Sequence, residues 1–199
     1  FNAGPRITVQ PKNQTTLAGK PVTLSVTAVG TAPLSYQWKK NGSDVPGATS
    51  ATLVFAEAQA DDSGSYTVVV TNEFGETTSL PAIVKVNEGP TITVPPESQT
   101  VFAGADVTFS VTATGTSPLT YQWRKGTANI SGATKASLTL TKVTPSAAAS
   151  YSVVVKNVAG TVTSAAAVLI VNEAPRITIQ PKGLTVLAGK PVTLSVTAL

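Results

Sequence analysis

The segment VTLSVTA at residues 22–28 recurs as VTFSVTA at 107–113 and returns letter for letter at 192–198, each time 85 residues further on. The offset never slips. Pro5, Pro90 and Pro175 open successive copies, and Tyr36/Tyr121, Trp38/Trp123 and Tyr66/Tyr151 keep the same spacing without an insertion. A unit of this length exceeds the periods of helical and leucine-rich repeats and can bury a core of its own, so each copy is expected to be a small domain. The expected division is 1–4 as the end of a preceding repeat, 5–87 and 90–172 as two complete domains, 88–89 and 173–174 as linkers, and 175–199 as the start of a third domain.

Within a repeat the apolar residues alternate. Val22, Leu24, Val26 and Ala28 are interleaved with Thr23, Ser25 and Thr27; Tyr66, Val68 and Val70, then Ala82, Val84 and Val86, follow the same rule. A period of two places one row inward and the Thr/Ser row toward water, which is the pattern of half-buried strands. Gly, Pro and Asn turns at 18–20, 40–42 and 73–75 separate them, and no stretch of useful length has helical periodicity. Short, β-branched strands between such turns predict a β-sandwich.

Three motifs make the pattern specific. PLSYQWKKNG, then ATLVF, then DDSGSYTVVVTNEFG resemble an immunoglobulin-like domain of the intermediate set, of the kind found in tandem bacterial repeats. The resemblance covers both complete repeats and the opening strands of the third. It implies an all-β fold, with tandem immunoglobulin-like β-sandwiches in an extended array. It also implies a structural core of Val26, Trp38, Tyr66 and Val68 in the first repeat and Val111, Trp123, Tyr151 and Val153 in the second. In that family the positions of Val26 and Val68, and of Val111 and Val153, are usually a cysteine pair; this chain has no Cys, so burial alone must hold the core. A disulfide contributes roughly 2–4 kcal/mol, and each buried Val, Leu, Phe or Trp about 1.5–3 kcal/mol. A dozen such residues suffice. In the second repeat Asp62 and Gly64 of the D-x-G-x-Y turn become Ala147 and Ala149, so Ala149 is expected to adopt the backbone angle that Gly64 holds. Phe102 and Phe109 replace Leu17 and Leu24, and are expected in inward rows.

Little in the chain is suited to chemistry. It has no His, which removes the usual general base and the commonest metal ligand. The first repeat carries Glu57, Asp61, Asp62, Glu73 and Glu76, and the joints carry Asn87-Glu88 and Asn172-Glu173. Asp62 is expected to cap backbone amides in its turn, and the D-x-D and D-x-N-D patterns of calcium-stiffened joints are missing. No catalytic, cofactor-binding or metal residue is predicted. Only Phe74, in a turn, is a spare aromatic for a sugar platform. Asn13, Asn41 and Asn129 head formal glycosylation triplets. The net charge is +4, divided as −1 over 5–89, +2 over 90–174 and +3 over 175–199. No basic block or basic-aromatic stripe accompanies it, so no nucleic-acid partner is predicted. No apolar run is long enough to span a bilayer.

These readings converge on a non-catalytic stalk, spacer or filament segment of a secreted or cell-surface microbial protein, without cofactors, whose partners are neighbouring repeats of the same chain. A homo-polymer or cell-surface partner is also compatible with them. Two alternatives stay open: an adhesin or ligand-binding module acting through its loops, since 41–49 and 126–134 diverge far more than the strands do, and an intracellular, titin-like elastic array. Residues 5–28 match 175–198 at 20 of 24 positions but 90–113 at only 15, as expected if the first and third copies are the same half of a two-domain unit. In the third copy Ile177, Ile179, Leu187, Val192, Leu194 and Val196 should not fold alone; further strands of a longer array, or of another copy, would have to cover them.

Overall fold

A computed structural model describes residues 2–199. The first repeat forms ten strands: β1 (Arg6–Val9), β2 (Gln14–Leu17), β3 (Val22–Ser25), β4 (Thr27–Val29), β5 (Ser35–Lys40), β6 (Ser43–Asp44), β7 (Thr52–Phe55), β8 (Gly64–Asn72), β9 (Gly75–Thr78) and β10 (Ala82–Asn87). The second repeats them as β11 (Thr91–Val94), β12 (Gln99–Phe102), β13 (Val107–Ser110), β14 (Thr112–Thr114), β15 (Thr120–Lys125), β16 (Ala128–Asn129), β17 (Ser137–Leu140), β18 (Ala149–Asn157), β19 (Gly160–Thr163) and β20 (Ala167–Asn172). A single 3-10 turn precedes β8 and another β18.

Each set makes the two layers of a sandwich. In the first, the large sheet runs β2-β10-β8-β5-β6 with β9 also on β8, and the facing layer pairs β1 with β4 and β3 with β7. The second set has the same order with β12, β20, β18, β15, β16 and β19. Strand β10 lies parallel to β2 and antiparallel to β8. The alternation sets the inward row: Val22 and Leu24 in β3, and Tyr66, Val68 and Val70 in β8, are buried and their neighbours are not. One cluster of buried residues holds the first set, with Val22, Leu24, Val26, Trp38, Tyr66, Val68, Val70, Ala82, Val84 and Val86 among its members. By compactness the chain divides into one unit running to Thr93 with 113–120 and 155–162, and a second of 94–112, 121–154 and 163–199.

Two expectations change. Phe102 does not face inward: it is 65% exposed, and Leu17 at the matching place is 43% exposed. Both lie on the outward row of a strand that pairs in parallel at the sheet margin, where Thr16 and Val101 take the partly buried positions. Nor does Gly64 hold a special backbone angle, since its φ lies outside the left-handed region. Its role is steric: a Cβ there would stand 2.9 Å from Lys40 Cε and 3.2 Å from Asn41 Oδ1. In the second repeat Gly126 (φ 57) replaces Asn41 (φ 50) in the same turn. With Gly126 there, only the flexible end of Lys125, the counterpart of Lys40, remains beside Ala149.

In the third copy β21 (Ile177–Ile179) pairs with β22 (Thr197–Ala198), and among the described residues no other strand joins them. Ile177, Ile179, Leu187, Val192, Leu194 and Val196 are all at least half exposed.

Candidate functional site

The eight core residues lie where the two layers meet. Val26, Trp38, Tyr66, Val68, Val111, Trp123, Tyr151 and Val153 are each 6% exposed or less. Trp38 stands opposite Val68 across β5 and β8. Its indole N–H donates to the Ser50 carbonyl at 2.9 Å, and that of Trp123 to the Lys135 carbonyl at the same distance. The one polar atom of each ring is thereby satisfied. The Tyr66 hydroxyl donates to the Asp62 carbonyl at 2.7 Å, and Tyr151 to Ala147 at 2.8 Å. Burial first, and the nearby Asp62 charge second, push the Tyr66 phenol up to about 12; burial raises that of Tyr151. These groups are held neutral and tied to backbone, an arrangement suited to stability rather than proton transfer.

The acidic residues are likewise engaged or dispersed. Asp62 Oδ2 accepts from the Gln59 amide at 2.8 Å, capping the 3-10 turn, and Asp44 pairs with Lys39 at 2.6 Å. Among the described residues no group of three or more Asp or Glu lies close enough to hold a metal ion. No helix of the described residues is long and apolar enough to cross a membrane.

The most specific polar construction is one to which sequence reasoning gave no role, at the entry to each repeat. Asn72 Nδ2 donates to the carbonyls of Ala3 (2.8 Å) and Thr31 (2.9 Å), while its Oδ1 accepts from the Phe74 amide. Thr31 completes the ring: its hydroxyl accepts from the Ala3 amide and its own amide donates to the Ala3 carbonyl. Asn157 does the same, donating to Glu88 (2.7 Å) and Thr116 (2.9 Å) and accepting from Ala159 and Gly160. Thr116 bonds to Glu88 both ways. A carboxamide is the smallest side chain with two donors and an acceptor in one plane, so it alone can join three backbone segments. The signal was present in Asn72/Asn157 and Thr31/Thr116, all kept at the common offset.

The exit is tied down as well. The Asn87 carbonyl accepts from Ala18 and that of Asn172 from Ala103, extending the parallel pairing of β10 with β2 and of β20 with β12. Residue 87 is thus bonded to the repeat it leaves, and residue 88 to the repeat it enters.

The immunoglobulin domain family model matches residues 4–72 and 89–157. Over 122 residues the chain is 33% identical to the basement membrane-specific heparan sulfate proteoglycan core protein of Mus musculus, a match covering 60% of the chain and 3% of that protein. A 55-residue stretch is 51% identical to the decoration protein of Escherichia phage T5, covering 27% of the chain and 34% of that protein. Among solved structures, the I-band fragment I67-I69 from titin superposes with a TM-score of 0.70 at 22% identity, covering all of the chain and 77% of the fragment. That likeness shows the fold alone.

Proposed function

The chain belongs to the immunoglobulin domain family, and from that premise we propose that it is a load-bearing spacer in the stalk or filament of a secreted or cell-surface microbial protein. Its complete domains are 5–87 and 90–172, each held by its four-residue core set. Like the arrays it matches, it is non-enzymatic. A phage decoration protein among its relatives supports the microbial setting.

One observation carries the reading: where the first repeat gives way to the second, consecutive residues are bonded in opposite directions along the chain. Asn87 is bonded backward to Ala18 and Glu88 forward to Thr116 and Asn157. Pro90 stiffens the next step. A tether meant for independent motion needs slack, whereas a spacer that transmits tension needs none. Limited digestion with a Glu-specific protease tests this. The native chain should resist cleavage at Glu88, although that side chain is exposed, and Asn157→Ala should make it the first site cut. Rapid cleavage at Glu88 in the unaltered protein would contradict the reading.

Adhesion is the second reading, and one observation favours it. Phe102, Val168 and Ile170 are exposed on the adjacent strands β12 and β20, whereas the first repeat has Lys85 in place of Ile170. Such an exposed apolar row is a recognised mark of a contact surface.

A further inference from the structure

Asn41-Gly42 is the sole Asn-Gly pair in the sequence, and the fold sets it in the two-residue turn between β5 and β6, with Lys40 opposite Ser43. Both residues have positive φ, 50 and 88, as a type I′ hairpin requires. Both are exposed. Apart from the adjoining residues, no atom lies within 4 Å of where a Gly42 Cβ would stand, so no other segment covers that face of the turn. The Asn41 carboxamide is held in place: Oδ1 accepts from the Ser65 backbone amide at 3.0 Å, and the group rests over the bare face of Gly64.

We propose that Asn41-Gly42 is a self-modification site at which the native chain deamidates, with the Ser65 N–H stabilising the charge that develops on Asn41 Oδ1. The Gly42 nitrogen gives its proton to water and adds to Asn41 Cγ. Negative charge then collects on Oδ1, where a fixed backbone donor already points, and no second molecule has to be brought to the carbon. Nδ2 takes a proton back from water, the bond from Cγ to Nδ2 breaks as the oxyanion collapses, ammonia leaves, and a cyclic imide remains. Water opens the imide at either carbonyl, giving aspartate or isoaspartate at position 41. There is no change of oxidation state, and solvent water is the only co-reactant.

Isoaspartate adds a main-chain carbon to a turn that has room for two residues. It therefore breaks the register of β5 with β6, including the Lys39–Asp44 pair. The second repeat is immune, because its turn is Gly126-Thr127 and carries no carboxamide. None of the other asparagines is followed by glycine. Asn2 precedes Ala3, Asn129 and Asn157 precede the β-branched Ile130 and Val158, Asn13 precedes Gln14, and Asn72, Asn87 and Asn172 precede Glu. Time would thus mark one repeat type and leave the other unchanged.

The test incubates the whole folded chain, and the same chain unfolded in urea, at pH 7.5 and pH 9, with ammonia release, peptide mapping and enzymatic isoaspartate detection as readouts. The native chain should lose one ammonia, gain one negative charge at position 41 before any other asparagine reacts, and react faster at pH 9. Asn41→Asp should release none on the same timescale. Modification at Asn41 in the unfolded chain with none in the folded chain would overturn the proposal. So would native reaction spread over several asparagines.

Discussion

Asn41 and Gly64 are a coupled pair, and the second repeat shows the other solution, Gly126 with Ala149. A Cβ at position 64 would press on Lys40 and Asn41, so Gly64→Ala should destabilise the first repeat by about 1–3 kcal/mol, the usual cost of overpacking. Adding Asn41→Gly should recover most of it, as read by a double-mutant cycle in urea; additivity would contradict the account. Tyr66 gives a second residue-level expectation. Its phenol sits near 12 in the fold, through burial and then Asp62, against 10.0 for an ordinary tyrosine. Above pH 10 the unfolded chain gives up this proton while the folded chain keeps it. The stability it confers is therefore whole below pH 10 and drains away between 10 and 12. Asp62→Asn should lower the Tyr66 midpoint toward that of Tyr151 in a phenolate absorbance titration, and an unmoved midpoint would exclude Asp62 as a cause. Trp38 and Tyr66 were expected in the core because the motifs around them resemble the immunoglobulin-like pattern, and for Tyr66 alternation pointed the same way; both are buried. The role of Gly64 was not legible in the sequence. Steric demand depends on Lys40 and Asn41, which are distant in sequence and reach it only through the pairing of β5 with β8.

At the scale of elements, the two repeats fill one core differently. In the first, Phe55 on β7 meets Tyr66 edge to face at 5.7 Å. In the second, Phe109 on β13 stacks on Tyr151 at 5.1 Å, and Leu140 stands where Phe55 would be. The aromatic has crossed from one strand of the pair to the other, conserving volume. Leu24→Phe alone should therefore cost about 1–3 kcal/mol through crowding, and Leu24→Phe with Phe55→Leu should restore stability by thermal unfolding. A double variant no better than the single would refute the exchange. Strand assignments followed from period two, but the facing of Phe102 did not. Val101 takes the partly buried row of β12 and leaves Phe102 on the opposite face, so the phase of the alternation decided it, not its period. The clasp of Asn72 was hidden for a related reason: its partners, Ala3 and Thr31, are 69 and 41 residues away.

For the molecule as a whole, the 85-residue offset made the succession of sandwiches legible, while the response to a pulling force depends on the direction of strand pairing, which alternation does not encode. The chain enters a repeat just before β1 and leaves it from β10. Strands β2 and β10 are parallel over the four pairs from Gln14↔Val84 to Leu17↔Asn87. Pulling the ends of parallel neighbours in opposite directions loads their hydrogen bonds in shear, so they must fail together rather than one by one. The second repeat has the same ladder between β12 and β20.

Lys85 shares the orientation of Asn87 by alternation, so its amide faces β2, and Lys85→Pro deletes that donor. Single-molecule stretching of the chain held at its two ends tests the spacer account most directly. The account predicts two separate high-force unfolding events in the unaltered chain, and in Lys85→Pro a marked fall in one of them with the other unchanged. Unfolding of both repeats at the low force of an unzipping hairpin, or a Lys85→Pro trace identical to the original, would contradict it.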